Sequence, residues 1–179
     1  MIKWKSERQR IIVFSLIILI GVILFLISKV CMRQIIYIST GDTELIGQTA
    51  YLNENNIIEQ SFYANHDMMV ASRFYFIVDD ASFIPEDRII VSIVDSDNDV
   101  LDTQEIRLSE LVENIWCSHI IFDSAELKAD GSYKFRFESN VLADGAKIAI
   151  AKVNYEAEGY ALTVNNVEDD GCLMMIIRE

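Results

Sequence analysis

The sequence predicts an all-β fold, a β-sandwich of the immunoglobulin or jelly-roll type, preceded by a single N-terminal transmembrane α-helix. Three observations predict it. Residues 11–28 read IIVFSLIILIGVILFLIS, where only Ser15, Gly21 and Ser28 are not large and apolar. From residue 34 onward the hydrophobic period changes from helical to two, the mark of half-buried strands. Turn-forming residues then punctuate the chain at short intervals: Asn65-His66-Asp67, Asp95 to Asp99, Asp130-Gly131, Asp144-Gly145, Asn165-Asn166 and Asp169-Asp170-Gly171.

The apolar run comes first. Eighteen helical residues rise about 27 Å, and continuing to Met32 gives about 33 Å, enough for a hydrocarbon core of about 30 Å. Lys29 falls near the end of that span, where its ammonium can reach the headgroups. A cleaved secretory signal would have a shorter apolar region followed by small residues at the cut. Here the flank is Ser28-Lys29-Val30-Cys31-Met32, with no A-x-A pattern, and Lys29-Val30 stand where small residues would precede a lipidated cysteine. The run therefore reads as a retained signal anchor over 11–32. Four basic residues (Lys3, Lys5, Arg8, Arg10) precede it and two (Lys29, Arg33) follow, which keeps residues 1–10 cytoplasmic and sets the rest outside the plasma membrane.

Residues 33–56 read as a connecting segment, with a short strand available at 35–39, and 57–179 as the sandwich. The strand-like runs are 57–63, 70–78, 88–94, 103–108, 115–122, the alternation of Tyr133, Phe135 and Phe137 with Lys134, Arg136 and Glu138, then 147–153, 160–164 and 172–178. Ser109–Val112 suits one helical turn. Pro85 is the only proline and no Pro/Gly-rich linker occurs, so the sandwich should sit close to the membrane.

Charge narrows the function. The 179 residues carry 15 Lys/Arg against 28 Asp/Glu, a formal net of −13, while 51% are hydrophobic. Residues 1–33 hold six basic and one acidic residue, and residues 34–179 hold nine and 27, a net of −18. Such a surface repels phosphate backbones, which argues against nucleic acid as a partner. The apolar content argues against a disordered chain, and three cysteines argue against a disulfide framework. Cys117 and Cys172 sit in strand-like runs, where they either pair in an oxidising exterior or stay as buried thiols.

The order Ile58-x-Gln60-x-Phe62, then Ile89-x-Val91-x-Ile93-x-Asp95-x-Asp97-x-Asp99-Val100-Leu101, continues with Leu111-x-Glu113-Asn114-x-Trp116, Gly131-x-Tyr133-x-Phe135-x-Phe137-x-Ser139 and Gly171-x-Leu173. This pattern, over roughly residues 57–175, resembles the carbohydrate-binding-module-like jelly roll found near the N-terminus of some large bacterial membrane proteins of cell-surface polysaccharide assembly. In those relatives a first transmembrane helix precedes the sandwich and many helices follow it. This chain ends after the sandwich, so the resemblance implies a binding module, and any transferase or flippase activity carried by the relatives' later helices is not carried over to it.

Candidate sites follow from residue type and face. Asp95-x-Asp97-x-Asp99 offers alternate oxygens suited to Ca²⁺, but Val100 and Ile106 stand where an EF-hand loop needs Gly and Glu. The alternative is a solvated hairpin turn. Arg73, Tyr75, His119, Lys134 and Arg136 point away from the core face of their strands, where a ring can stack on sugar C–H groups and cations can hydrogen-bond hydroxyls or acidic groups. The alternative is a solvated or membrane-facing sheet. Trp116 alternates with Ile120 and Phe122 and reads as core. No G-x-S-x-G, phosphate-binding or dinucleotide-binding fingerprint occurs, and the two histidines have no partner at metal-ligand spacing, so the chain reads as no enzyme and requires no cofactor. The expected function is a membrane-anchored extracellular module that binds or positions cell-surface polysaccharide. The alternative is a single-pass subunit that contacts a multi-spanning membrane protein through its helix or a sheet edge, with no ligand of its own.

Overall fold

The structure, a computed structural model, describes residues 18–21, 36–40, 43–64, 67–111, 116–141 and 145–178, with the side chains of 36–38, 68, 69, 110 and 116–119 outside that description. The chain divides into two units, Met1–Ile35 and Ile36–Glu179. In the first, residues 18–21 are helical, and Ile18, Leu19 and Ile20 are exposed. The cytoplasmic segment 1–10 and the rest of the span 11–32 lie outside the described residues. Among the described residues no helix is long and apolar enough to cross a membrane.

The second unit is all-β. Its strands are β1 (Ile36–Ser39), β2 (Leu45–Gln48), β3 (Ile58–Ala64), β4 (Met68–Asp80), β5 (Arg88–Val94), β6 (Val100–Arg107), β7 (Trp116–Leu127), β8 (Gly131–Asn140), β9 (Lys147–Val153), β10 (Leu162–Val164), β11 (Val167–Asp169), β12 (Cys172–Leu173) and β13 (Met175–Arg178). A 3-10 turn at Leu108–Glu110 begins one residue before the helical turn expected at Ser109. Among the described residues these strands form two antiparallel sheets. One runs β1-β13-β4-β9-β12, with β2 added on β9 and β7 on β4; the other runs β11-β10-β3-β8-β5-β6.

Alternation explains why the sheets face each other. Strands β3 and β8 of one sheet and β4 of the other each carry an apolar stripe on one side, and the stripes remove each other from water. Phe62 of β3 and Phe135 and Phe137 of β8 meet Phe74 and Phe76 of β4 and Phe122 of β7, all fully buried. Phe74 packs edge-on against Phe135 and Phe137 with ring centroids at 5.0 and 4.7 Å, and Phe62 stacks on Phe135 at 4.6 Å. Two polar links join the layers as well. Gln60 faces inward from β3 with no exposed surface and accepts a hydrogen bond from the Leu173 amide of β12 at 2.9 Å. At the rim, Asp102 of β6 accepts the Ser124 amide of β7 at 2.9 Å.

The segment 33–56, read from sequence as a connector with a short strand available at 35–39, contributes that strand as β1 and a second, β2, that was not expected. β1 pairs β13 and β2 pairs β9, both antiparallel. The run 172–178 divides at Met174, because its two halves have different neighbours: β12 pairs β9 and β13 pairs β4. The ladder between β4 and β9 begins at Phe76↔Ile150, whereas β13 takes β4 up to Phe74, so the C-terminal strands enter where β4 and β9 part. Thr40, fully buried, holds this junction: its Oγ1 donates to the Leu173 carbonyl at 2.8 Å and accepts the Met175 amide at 2.7 Å. Gly171 opens β12 at φ 76°, and a Cβ there would lie 2.7 Å from the Val153 carbonyl oxygen, so only glycine lets the two backbones approach.

Candidate functional site

The outer face of the six-stranded sheet holds a polar recess. Strand β3 turns Ile58, Gln60, Phe62 and Ala64 inward, which leaves Glu59, Ser61 and Tyr63 outward. The pairing of β3 with β8 sets Glu59 opposite Arg136, Ser61 opposite Lys134 and Tyr63 opposite Ser132. On the other flank β10 sets Thr163 opposite Glu59. Residues directly opposite on one face are close enough to interact. Glu59, 6% exposed, accepts hydrogen bonds from Arg136 Nε at 2.8 Å and Lys134 Nζ at 3.4 Å. Beside this triad lies a cavity of about 270 Å³ lined by Glu59, Ser61, Lys134, Ala161, Thr163 and Asn166. Chemically it offers hydroxyls, an amide, an ammonium and a fixed ion pair, groups able to donate and accept hydrogen bonds.

Ser61 also shapes the wall. Its hydroxyl donates to the Gly159 carbonyl at 2.9 Å and accepts the Ala161 amide at 2.7 Å, fastening residues 159–161 along β3. Tyr63, the next outward residue, is 39% exposed and rests on Gly159. Comparison with known proteins finds no family model and no curated protein that matches this chain.

A second cavity, about 480 Å³, lies next to the hairpin β10–β11 and is lined by Tyr155 and Tyr160 together with Glu156, Glu158, Glu168 and Asp170. Two of its lining residues, Asp169 and Asp170, pair with Lys152 of β9 at 2.9 and 2.6 Å. Burial pulls the Lys152 ammonium down, but the bonds to Asp170 and Asp169 outweigh it and hold the group above its ordinary value. The bond from Lys152 holds the Asp170 carboxyl below the usual carboxylate range.

The residues singled out from sequence do not form one patch. Arg73 and Tyr75 lie half-buried on the outward side of β4, in the seven-stranded sheet. Lys134 and Arg136 lie on β8, in the other sheet, so the sandwich separates the two pairs onto opposite faces. His119 belongs to β7, and its side chain, like those of Trp116 and Cys117, lies outside the described residues. Asp95, Asp97 and Asp99 form the turn between β5 and β6: Asp95 Oδ1 accepts the amides of Asp97 and Asp99, each at 2.9 Å, and Asn98 takes φ 65°. Among the described residues no three His, Cys, Asp or Glu side chains gather to hold a metal ion, these aspartates included, because Asp95 is committed to its own turn. Cys172 is a free, buried thiol, pushed up to about 12 by burial.

Sequence reasoning missed Glu59, Ser61, Thr163 and Asn166. The outward set of β3 was visible in the alternation of 57–63, but nothing local says that β8 and β10 flank that strand.

Proposed function

We propose that this chain is a membrane-anchored, non-catalytic β-sandwich module that binds or positions cell-surface glycan on the outer face of its six-stranded sheet. The observation that carries the reading is the recess of Glu59, Ser61, Lys134, Thr163 and Asn166, in which a buried ion pair holds the accessible donors and acceptors in place. Preset hydrogen-bonding groups suit a polyol, since little ordering is needed on binding. The strand order β2-β9-β4-β7 against β3-β8-β5-β6, in which every connection from β2 to β9 except the β5–β6 hairpin crosses between the layers, favours a jelly roll, in keeping with the resemblance to glycan-binding modules. The apolar run 11–28 and its basic flanks support an anchor over 11–32, with the N-terminus cytoplasmic and the sandwich outside the plasma membrane.

The test uses the full-length chain in detergent micelles, titrated with a panel of bacterial surface polysaccharides. Saturable binding that weakens about tenfold in Lys134→Ala supports the reading. The absence of saturable binding to every polysaccharide, with the chain instead retaining a multi-spanning membrane protein through residues 11–32, would replace it with the subunit reading.

A further inference from the structure

We infer that Tyr63 is the stacking platform of the glycan recess, on which a pyranose ring lays its C–H face while the neighbouring polar side chains take its hydroxyls. The inference rests on the glycan reading above and adds a ligand class to it: sugars whose equatorial substituents leave one ring face apolar.

Three features single this tyrosine out. Tyr63 is the next outward residue of β3 after Ser61, about 7 Å along the strand from the recess and on the same face. Its flanks are low. The residue opposite on β8 is Ser132, and the other side is Gly159. A Cβ on Gly159 would fall 1.8 Å from Cε2 of the ring, so the ring occupies the space that any other residue's side chain would take, and Gly159 at φ 82° is free to leave it.

The support under the ring is fixed. Ser61 bonds to the Gly159 carbonyl and the Ala161 amide fix the backbone on which it rests. A large ring already confined by its support loses little freedom when a sugar covers it, and stacking adds to the hydrogen bonds. The other described tyrosines are less suited. Tyr133 is buried, with its hydroxyl accepting the Lys128 amide. Tyr155 and Tyr160 pack edge-to-face on each other at 5.5 Å. Tyr51 spends its hydroxyl on Asp79 and lies under the Lys147 ammonium, and Tyr75 is on the opposite sheet.

The experiment titrates the full-length chain in micelles with hexasaccharides of β-1,4-linked glucose and of β-1,4-linked N-acetylglucosamine, and with an oligogalacturonate. Calorimetry gives affinity, proton NMR follows the sugar C–H resonances, and thermal unfolding verifies the fold of each variant. The platform predicts upfield shifts of ring C–H protons and a loss of about tenfold in Tyr63→Ala, with Tyr63→Phe and Tyr63→Trp near the parent value. Tyr75→Ala should bind as the parent does. If Tyr63→Ala binds normally and keeps the upfield shifts while Lys134→Ala loses affinity, the platform is overturned and the glycan reading stands. If the unaltered chain binds none of the three probes, the platform is overturned for these sugars, and the polysaccharide panel decides the broader reading.

Discussion

Glu59 is only 6% exposed and is held from the neighbouring strand by Arg136 and Lys134, whose side chains are 22% and 36% exposed. The two partners differ in what they do. Arg136, closer and more covered, locks the carboxylate; Lys134, longer in reach, keeps an ammonium available to the recess. Removing the acid leaves Arg136 half-buried without that partner, so Glu59→Ala should destabilise the chain by about 1–3 kcal/mol, and Glu59→Gln by less because one acceptor remains. Denaturant midpoints measure both, and an unchanged midpoint in Glu59→Ala would reduce the pair to a solvated surface contact. A second prediction concerns Cys172. Only a thiolate reacts, and burial has pushed this thiol up to about 12. At pH 8 an aromatic disulfide reagent should leave the Cys172 peptide unmodified in the folded chain and label it on unfolding, as read by mass spectrometry.

The junction of β1, β12 and β13 depends on one buried hydroxyl. Thr40→Val preserves shape but removes the bonds to Leu173 and Met175, stranding a buried carbonyl and a buried amide. The expected cost is about 1–3 kcal/mol, with faster amide exchange at Met175 than at Phe135 of the central strand β8. Lys152 links β9 to the turn before β12, and its pairing makes stability depend on pH at both extremes. A raised Lys152 contributes fully below its ordinary value of 10.5 and loses that contribution as pH rises through the raised one. A lowered Asp170 contributes fully above its ordinary value of 3.8 and loses it as pH falls through the depressed one. Stability differences between the parent chain and Lys152→Met should therefore be constant between those limits and shrink outside them. A difference that does not change with pH would show that the lysine acts through packing alone.

Both sheets meet in the aromatic cluster, so the sandwich should unfold as one body. Phe135 touches Phe62 in its own sheet and Phe74 and Phe122 in the other. Phe135→Ala should cost about 3–5 kcal/mol through lost burial and the cavity left behind. Tryptophan fluorescence and far-ultraviolet dichroism should then report a single shared midpoint, and separate midpoints would mean that the sheets are stable apart.

Alternation along the chain by itself determined which side of each strand is apolar. That is why Phe135 and Phe137 against Lys134 and Arg136 was legible before any neighbour was known. The Asp95 turn was legible for the same reason, since its bonds close within five residues. Strand partners were not legible. Glu59 meets Arg136 across 77 positions, and the four residues of β1 find β13 at the far end of the chain. Only the tertiary structure decided that Arg73 and Tyr75 face away from Lys134 and Arg136, and that Ser61, Thr163 and Asn166 complete the recess. The physical reason is that a period of two records whether a side chain faces water, whereas the choice of neighbouring strand depends on how two distant stripes bury each other.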